Sequence, residues 1–211
     1  MDWPVLLRGG LVTLEIAGGS WVVSVGVGLI IVALRETGVK IIDRVLSFIV
    51  TVIRAVPELV LLYIVYFGLV YVGIRLHSLP AAIAALGVSE AAFTSEYFRA
   101  ALMTVSGRQR QAARSLGMST AQSFRYIVLP QALPVAFPSL VNCFVGLLKT
   151  ATLASAVSAP EILYQAQNQM TQSGQILSTT LAVVVIYVLA TIPLTAAAGH
   201  LEARARRRMA S

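Results

Sequence analysis

Glu90 and Lys149 are the residues whose chemistry is hardest to reconcile with their surroundings. Each is an ionisable side chain inside an apolar run, GVSEAAF around Glu90 and FVGLLKTATLA around Lys149. An ion at mid-bilayer depth costs about 2.5 to 3.5 kcal/mol, so such a residue needs a partner or a polar cavity. Asn142, Thr150 and Thr152 set neutral hydrogen-bonding groups near Lys149, and Glu161 follows a little further on. These six are the candidates for lining a polar path. Bond-breaking chemistry lacks its tools here: there is no H-E-x-x-H, no G-x-S-x-G and no acidic metal-binding pair at helical spacing. A G-x-x-x-x-G-K-[ST] phosphate loop is missing too. His77 and His200 stand apart from any Cys or His cluster, so no metal is assigned. The single Cys143 excludes a disulfide framework and reads as packing.

The elements that must hold these residues are membrane helices. With 57% hydrophobic residues, the 211-residue chain has more apolar surface than one soluble core of its size buries, so lipid is its solvent. Five crossings are expected, roughly at 11–34, 56–74, 80–103, 132–154 and 176–199, in a single membrane domain covering 1–211. The first is no signal peptide: it lacks a basic leader, is too long and runs into Arg35. Charge sets the orientation. Arg35, Lys40 and Arg44 follow the first crossing, Arg108, Arg110, Arg114 and Arg125 the third, and Arg204, Arg206, Arg207 and Arg208 the fifth, whereas the opposite side has Arg8 and Arg75. The amino terminus is therefore outside and the carboxyl terminus inside, which needs an odd number of crossings. The net charge of +7 reports this topology and attraction to anionic lipid, not nucleic-acid binding.

Depth can be read from the same frame. Entering at Pro80, the third crossing places Glu90 about 15 Å down; leaving at Ala154, the fourth places Lys149 about 8 Å down. A lysine side chain spans that difference, so the two face one polar cavity and stabilise each other. The alternative is that Lys149 snorkels to the outer surface and Glu90 is a neutral, hydrogen-bonded acid. Glu96 and Arg99, three apart, pair with each other or with Arg54. Glu15 and Asn142 are candidates for interhelical hydrogen bonds at a cavity or subunit interface. Residues 38–54 are an amphipathic helix near the inner surface, or else the inner end of the second crossing.

One stretch breaks the apolar pattern, QAARSLGMSTAQSFRYIVLPQALP at 111–134. Ser106 with Gln109, and Ser119 with Gln122, each fit a capping box, and Gly117 suits a left-handed helix end. Two short helices joined by a tight turn are expected inside the loop 104–130, with Pro130, Pro134 and Pro138 keeping the second from running smoothly into the fourth crossing. Helices this short need external support, either from their own crossings or from a groove on another protein.

Gln111, Ala112, Ala113, Gly117, Ile127, Leu129 and Pro130 resemble the E-A-A-x-x-x-G-x9-I-x-L-P loop of permeases in bacterial ATP-binding cassette importers. Gln111 departs from the acidic first position. RAVPELVLLYIVYFGL (54–69), SEYFRAAL (95–102), LPQALPVAFPSLVN (129–142) and LLKTATLASAVSAPEIL (147–163) are similar to further segments of the amino-acid class, with Thr150 and Ala151 replacing an acid and a threonine. The resemblance implies an all-α membrane subunit in the bacterial cytoplasmic membrane that, with a second identical or paralogous permease, forms the path for a polar amino acid. It implies an ATPase partner that binds ATP and Mg, an external solute-binding protein, and no cofactor on this chain. Gln111, Ala112, Ala113, Leu116, Gly117, Met118, Phe124, Ile127 and Pro130 are then the coupling residues. Ala112, Ala113 and Gly117 allow close approach, and Leu116, Met118 and Phe124 act as anchors. Glu90 and Lys149 would hold the ammonium and carboxylate of the amino acid if they do not pair. The competing function is a self-contained secondary carrier or channel, against which stand the missing internal repeat and the small number of helices.

Overall fold

The computed structural model describes residues 2–105 and 107–210. Every regular element among them is helical. Helix α1 (Trp3–Arg35) starts where the Asp2 carboxylate accepts from the Val5 N–H at 3.4 Å, well before the expected residue 11. Helix α2 (Lys40–Ala55) stops at Val56, whose backbone turns extended ahead of Pro57. Helix α3 (Glu58–Tyr63) then continues as a π turn (Ile64–Gly68) and a 3-10 turn (Leu69–Val72). The two segments meet at 102°, so 38–54 is a helix of its own and not an extension of the second crossing. Next come α4 (Ser78–Thr104), α5 (Gly107–Ser115), α6 (Thr120–Ser123), α7 (Leu129–Thr150), α8 (Ile162–Ser173) and α9 (Ile176–Ala210).

Three helical stretches are long and apolar enough to cross a membrane: Trp3–Arg35, Thr120–Val157 and Ile176–His200. The bent pair α2–α3 makes a fourth if it counts as one. Helix α4 falls outside this set because Glu90, Glu96, Arg99 and many alanines and serines dilute its hydropathy. Its surroundings explain that composition. It packs against α1, α2, α3 and α7, and residues enclosed by other helices have no need to be oily.

Small residues set the closest approach, between α1 and α4. Ala17, Ser20 and Ser24 of α1 and Ala85, Ala91, Ala92 and Ser95 of α4 are all buried. A Cβ on Gly87 would sit 2.7 Å from the Val23 side chain, and one on Gly28 would sit 3.0 Å from the Ser95 backbone nitrogen. Where lipid supplies no hydrophobic drive, such short-range contact and cross-helix hydrogen bonds carry the association. Ser20 Oγ donates to the Ile83 carbonyl at 3.3 Å, and Trp21 Nε1 to the Leu140 carbonyl at 2.7 Å. Trp21 also meets Phe144 edge-on, so it pins α7 to α1.

The prolines act differently from expectation. Helix α6 does not end before the fourth crossing; it runs through a π turn (Phe124–Val128) into α7 and on to Val157 as one stretch of 38 residues. Pro130 has no N–H for the carbonyl four residues back and its ring would clash with it, and the wider π turn just before it accommodates both problems. The Leu129 N–H reaches back to the Phe124 carbonyl, and the Gln131 side-chain amide donates to the Ile127 carbonyl at 2.8 Å. Pro134 and Pro138 sit inside α7 without ending it.

Candidate functional site

Helix α5 ends at Gly117, whose φ of +77° is a conformation that costs an L side chain strain. The Gly117 N–H bonds the Arg114 carbonyl at 2.9 Å and the Met118 N–H bonds the Ala113 carbonyl at 3.1 Å, which closes the helix end. Immediately after, Ser119 and Gln122 form the expected reciprocal cap: Gln122 N–H to Ser119 Oγ at 3.2 Å, Ser119 N–H to Gln122 Oε1 at 2.9 Å. The Ser106 cap and the side chains of Arg110, Arg204, Arg206, Arg207 and Arg208 lie outside the described residues. The result is a compact knob with two faces. Ala113, Ser123 and Val128 are buried inward, whereas Gln111, Ala112, Gly117 and Pro130 are exposed and Leu116 is 81% exposed.

Of the three expected anchors, Leu116 projects outward. Phe124 instead packs on the chain's own cluster of Val32, Phe98, Leu102 and Val128, because the π turn rotates it toward α1. Met118 and Ile127 are half-buried. A cleft of about 430 Å³ separates this knob from the end of α1, lined by Ala33, Glu36 and Thr37 on one wall and Ser119, Thr120, Ala121 and Phe124 on the other.

The structure does not join Glu90 to Lys149. Glu90 accepts from the Cys143 thiol at 3.1 Å, and Cys143 in turn lies 3.6 Å from Thr94 Oγ1. Glu58 opens α3, which packs against the helix that carries Glu90. Lys149 is exposed in the last turn of α7, and no ion pair among the described residues links it to Glu90. Sequence depth alone could not give the rotation of α7 about its axis, which is what separates them. Asn142 is exposed; Thr150 and Thr152 are half-buried and bond backbone carbonyls of their own helix, Thr152 that of Lys149 at 2.7 Å.

Glu161 is fully buried, so it lines no open surface. It caps α8, accepting from the Leu163 and Tyr164 N–H groups at 2.9 and 2.8 Å and from Thr13 Oγ1 at 3.5 Å. Lying between the spanning stretches, its carboxyl is pushed above the ordinary carboxylate value by burial, against the pull of those three donors. Thr13 Oγ1 also accepts from the Ile162 N–H at 3.2 Å, and a Cβ on Gly9 would lie 2.9 Å from Ile162 Cα. This joint between α1 and α8 was not anticipated; the Gly9-x3-Thr13 spacing on one helix face was its only trace. Glu15 is exposed.

Charges where α1, α2 and α4 meet form a network. Glu96 pairs with Arg99 at 2.6 Å, as expected, and with Arg35 at 2.7 Å; Arg35 also holds Asp43 at 2.8 Å. Arg54 does not join. Its guanidinium lies over the Phe93 ring, 4.9 Å from the centroid.

Helices long and apolar enough to cross lipid, packed around hydrogen-bonded polar side chains, make this an all-helical membrane protein. Residues 24–207 match the family described as binding-protein-dependent transport system inner membrane component, and the chain belongs to that family. It is 35% identical over 202 residues to a probable glutamine ABC transporter permease protein, GlnP, of Bacillus subtilis (strain 168), covering 94% of this chain and 93% of that one. It is 32% identical to a probable amino-acid ABC transporter permease protein, PatM, of Vibrio harveyi, covering 87% and 84%. Among solved structures, an amino acid ABC transporter crystallised with histidines matches with a TM-score of 0.85 at 29% identity, over 95% of this chain and 94% of that one. The inward-facing MetNI methionine ABC transporter matches with a TM-score of 0.79 at 26% identity, over 97% and 99%. The chain is thus an amino-acid ABC importer permease subunit, a transport component and not an enzyme, with ATP hydrolysis belonging to a separate subunit.

Proposed function

We propose that this chain forms half of the translocation path for a polar amino acid and that the loop 104–130 couples closure of the ATPase partner to alternating access of that path. The observation that carries the proposal is Leu116, a large apolar side chain left 81% exposed beside a turn closed by the Gly117 helix end and the Ser119–Gln122 cap. Exposing it has no benefit to the isolated chain; in a groove of a partner it gains about 1.5 to 3 kcal/mol on burial. A lever is also present. Because α6 continues through the π turn into α7, a push on the knob is delivered to a helix 38 residues long.

In this reading α4 crosses with the others, since its 27 residues span about 40 Å, which gives five crossings with the amino terminus outside. ATP and Mg are bound by the ATPase, a solute-binding protein delivers substrate from outside, and a second permease, identical or paralogous, supplies the other half of the path in the bacterial cytoplasmic membrane. Names of similar proteins that carry glutamine or other amino acids support the substrate class. The test is uptake by vesicles holding the whole complex. Uptake that needs both ATP and the binding protein is the expected result; uptake driven by an ion gradient alone identifies a secondary carrier and overturns the proposal.

A further inference from the structure

Arg35 ends α1 and is 13% exposed. Its fork is split between two other helices: Nε donates to Asp43 Oδ1 of α2 at 2.8 Å, and Nη1 donates to Glu96 Oε1 of α4 at 2.7 Å. Glu96 is held on its other oxygen by Arg99, at 2.7 Å from Nε and 2.6 Å from Nη2. One residue further on, Glu36 lines both the 430 Å³ cleft facing the knob and a smaller pocket of about 60 Å³ shared with Arg114, Thr120, Ser123, Phe124 and Val128. The end of α1 therefore faces the knob across these spaces and packs Val32 in the cluster that Phe124 joins, while Arg35 grips two helices.

From this juxtaposition we infer that Arg35 is a positioning residue of the transport cycle, which passes displacement of the knob to α2 and α4 as well as along α7. The inference rests on the coupling role assigned above to the loop. What α2 and α4 carry makes the route consequential. Helix α4 holds Glu90, and α2 carries Arg54, stacked over Phe93 of α4, in its last turn before the bend at Pro57 into α3 and Glu58. A shift of α1 relative to the knob closes or opens the cleft and, through the forked guanidinium, turns both walls of that polar region together. A lysine cannot replace it, because one ammonium on a flexible stem does not hold two carboxylates in a fixed fork.

The experiment uses the complete complex in proteoliposomes and measures solute taken up per ATP hydrolysed. Arg35→Lys and Asp43→Asn should each lower that ratio about threefold or more while hydrolysis and complex assembly persist. The double variant should fall no further than Arg35→Lys alone, since both remove the same link. A purely structural clasp predicts otherwise: lower melting temperature and yield with an unchanged ratio, a result that overturns the inference. If Arg35→Lys fails to assemble, Asp43→Asn decides alone, because Asp43 is 54% exposed and its loss leaves the Glu96 contacts intact. Uptake by the unsubstituted complex that does not depend on ATP instead removes the coupling role itself, which separates the two failures.

Discussion

At the scale of single residues, Gly117 and Leu116 make the sharpest demands. Gly117 holds a positive φ, with open space where its Cβ would stand. Substitution there is limited by backbone strain of roughly 1 to 2 kcal/mol and by what the exposed side chain does to a docking partner, not by packing within the chain. Gly117→Asp should therefore insert and fold in the membrane yet uncouple, with ATP-driven uptake lost in vesicles that still contain the protein; normal uptake would count against the knob as a docking surface. Leu116→Ala should weaken retention of the ATPase on affinity-purified permease by about tenfold, the effect of losing about 1.4 kcal/mol of burial, without changing the permease's own melting temperature. The side chains the sequence placed correctly, Ser119 with Gln122 and Glu96 with Arg99, interact across three residues of one helix or cap. Glu90 with Lys149 required two helices to share a rotation, and nothing in one-dimensional spacing encodes that.

At the scale of elements, the prolines show how a correct local rule gives a wrong junction. Pro130 does remove a hydrogen bond and crowd the preceding turn, but a π turn absorbs both, so the helix widens for one turn and does not stop. That turn inserts one residue into the helical register and so rotates α6 by about 100° relative to α7, which is why Phe124 faces α1. Pro130→Ala removes the reason for the widening. The expected outcome is relaxation to a regular helix, release of Phe124 from its cluster and a fall in uptake per ATP, with the distance between spin labels on cysteines placed at Thr37 and Thr120, both lining the cleft, changed from that in the parent. An unchanged distance would show that tertiary packing and not proline maintains the turn. Helix starts and stops were legible where a cap or a proline marks them, as at Val56 and Ser119. The start of α1 was not, because Trp3, Pro4 and Arg8 read as a flank until Asp2 is seen to cap them.

For the whole molecule, crossing by both α3 and α4 fixes which side of the membrane their connection faces. Composition accounts for Trp3–Arg35, Thr120–Val157 and Ile176–His200, and it fails for α4 because an enclosed helix takes its polarity from its neighbours, not from lipid. Residues between α3 and α4 lie outside if both helices cross, and on the same side as Lys40 and Gln109 if neither does. His77, exposed at the start of α4, is in that connection. In a Cys143→Ser background, whose hydroxyl can still donate to Glu90, single cysteines at His77, Lys40 and Gln109 should be modified by a membrane-impermeant maleimide from opposite sides: His77→Cys from outside in intact cells, the other two only after the membrane is opened. Labelling of all three from the same side would reduce the chain to three crossings. Five crossings instead place Glu90 within the bilayer on a helix packed against α1, α2, α3 and α7, where an ionisable side chain has reason to exist only beside water, a partner or a substrate.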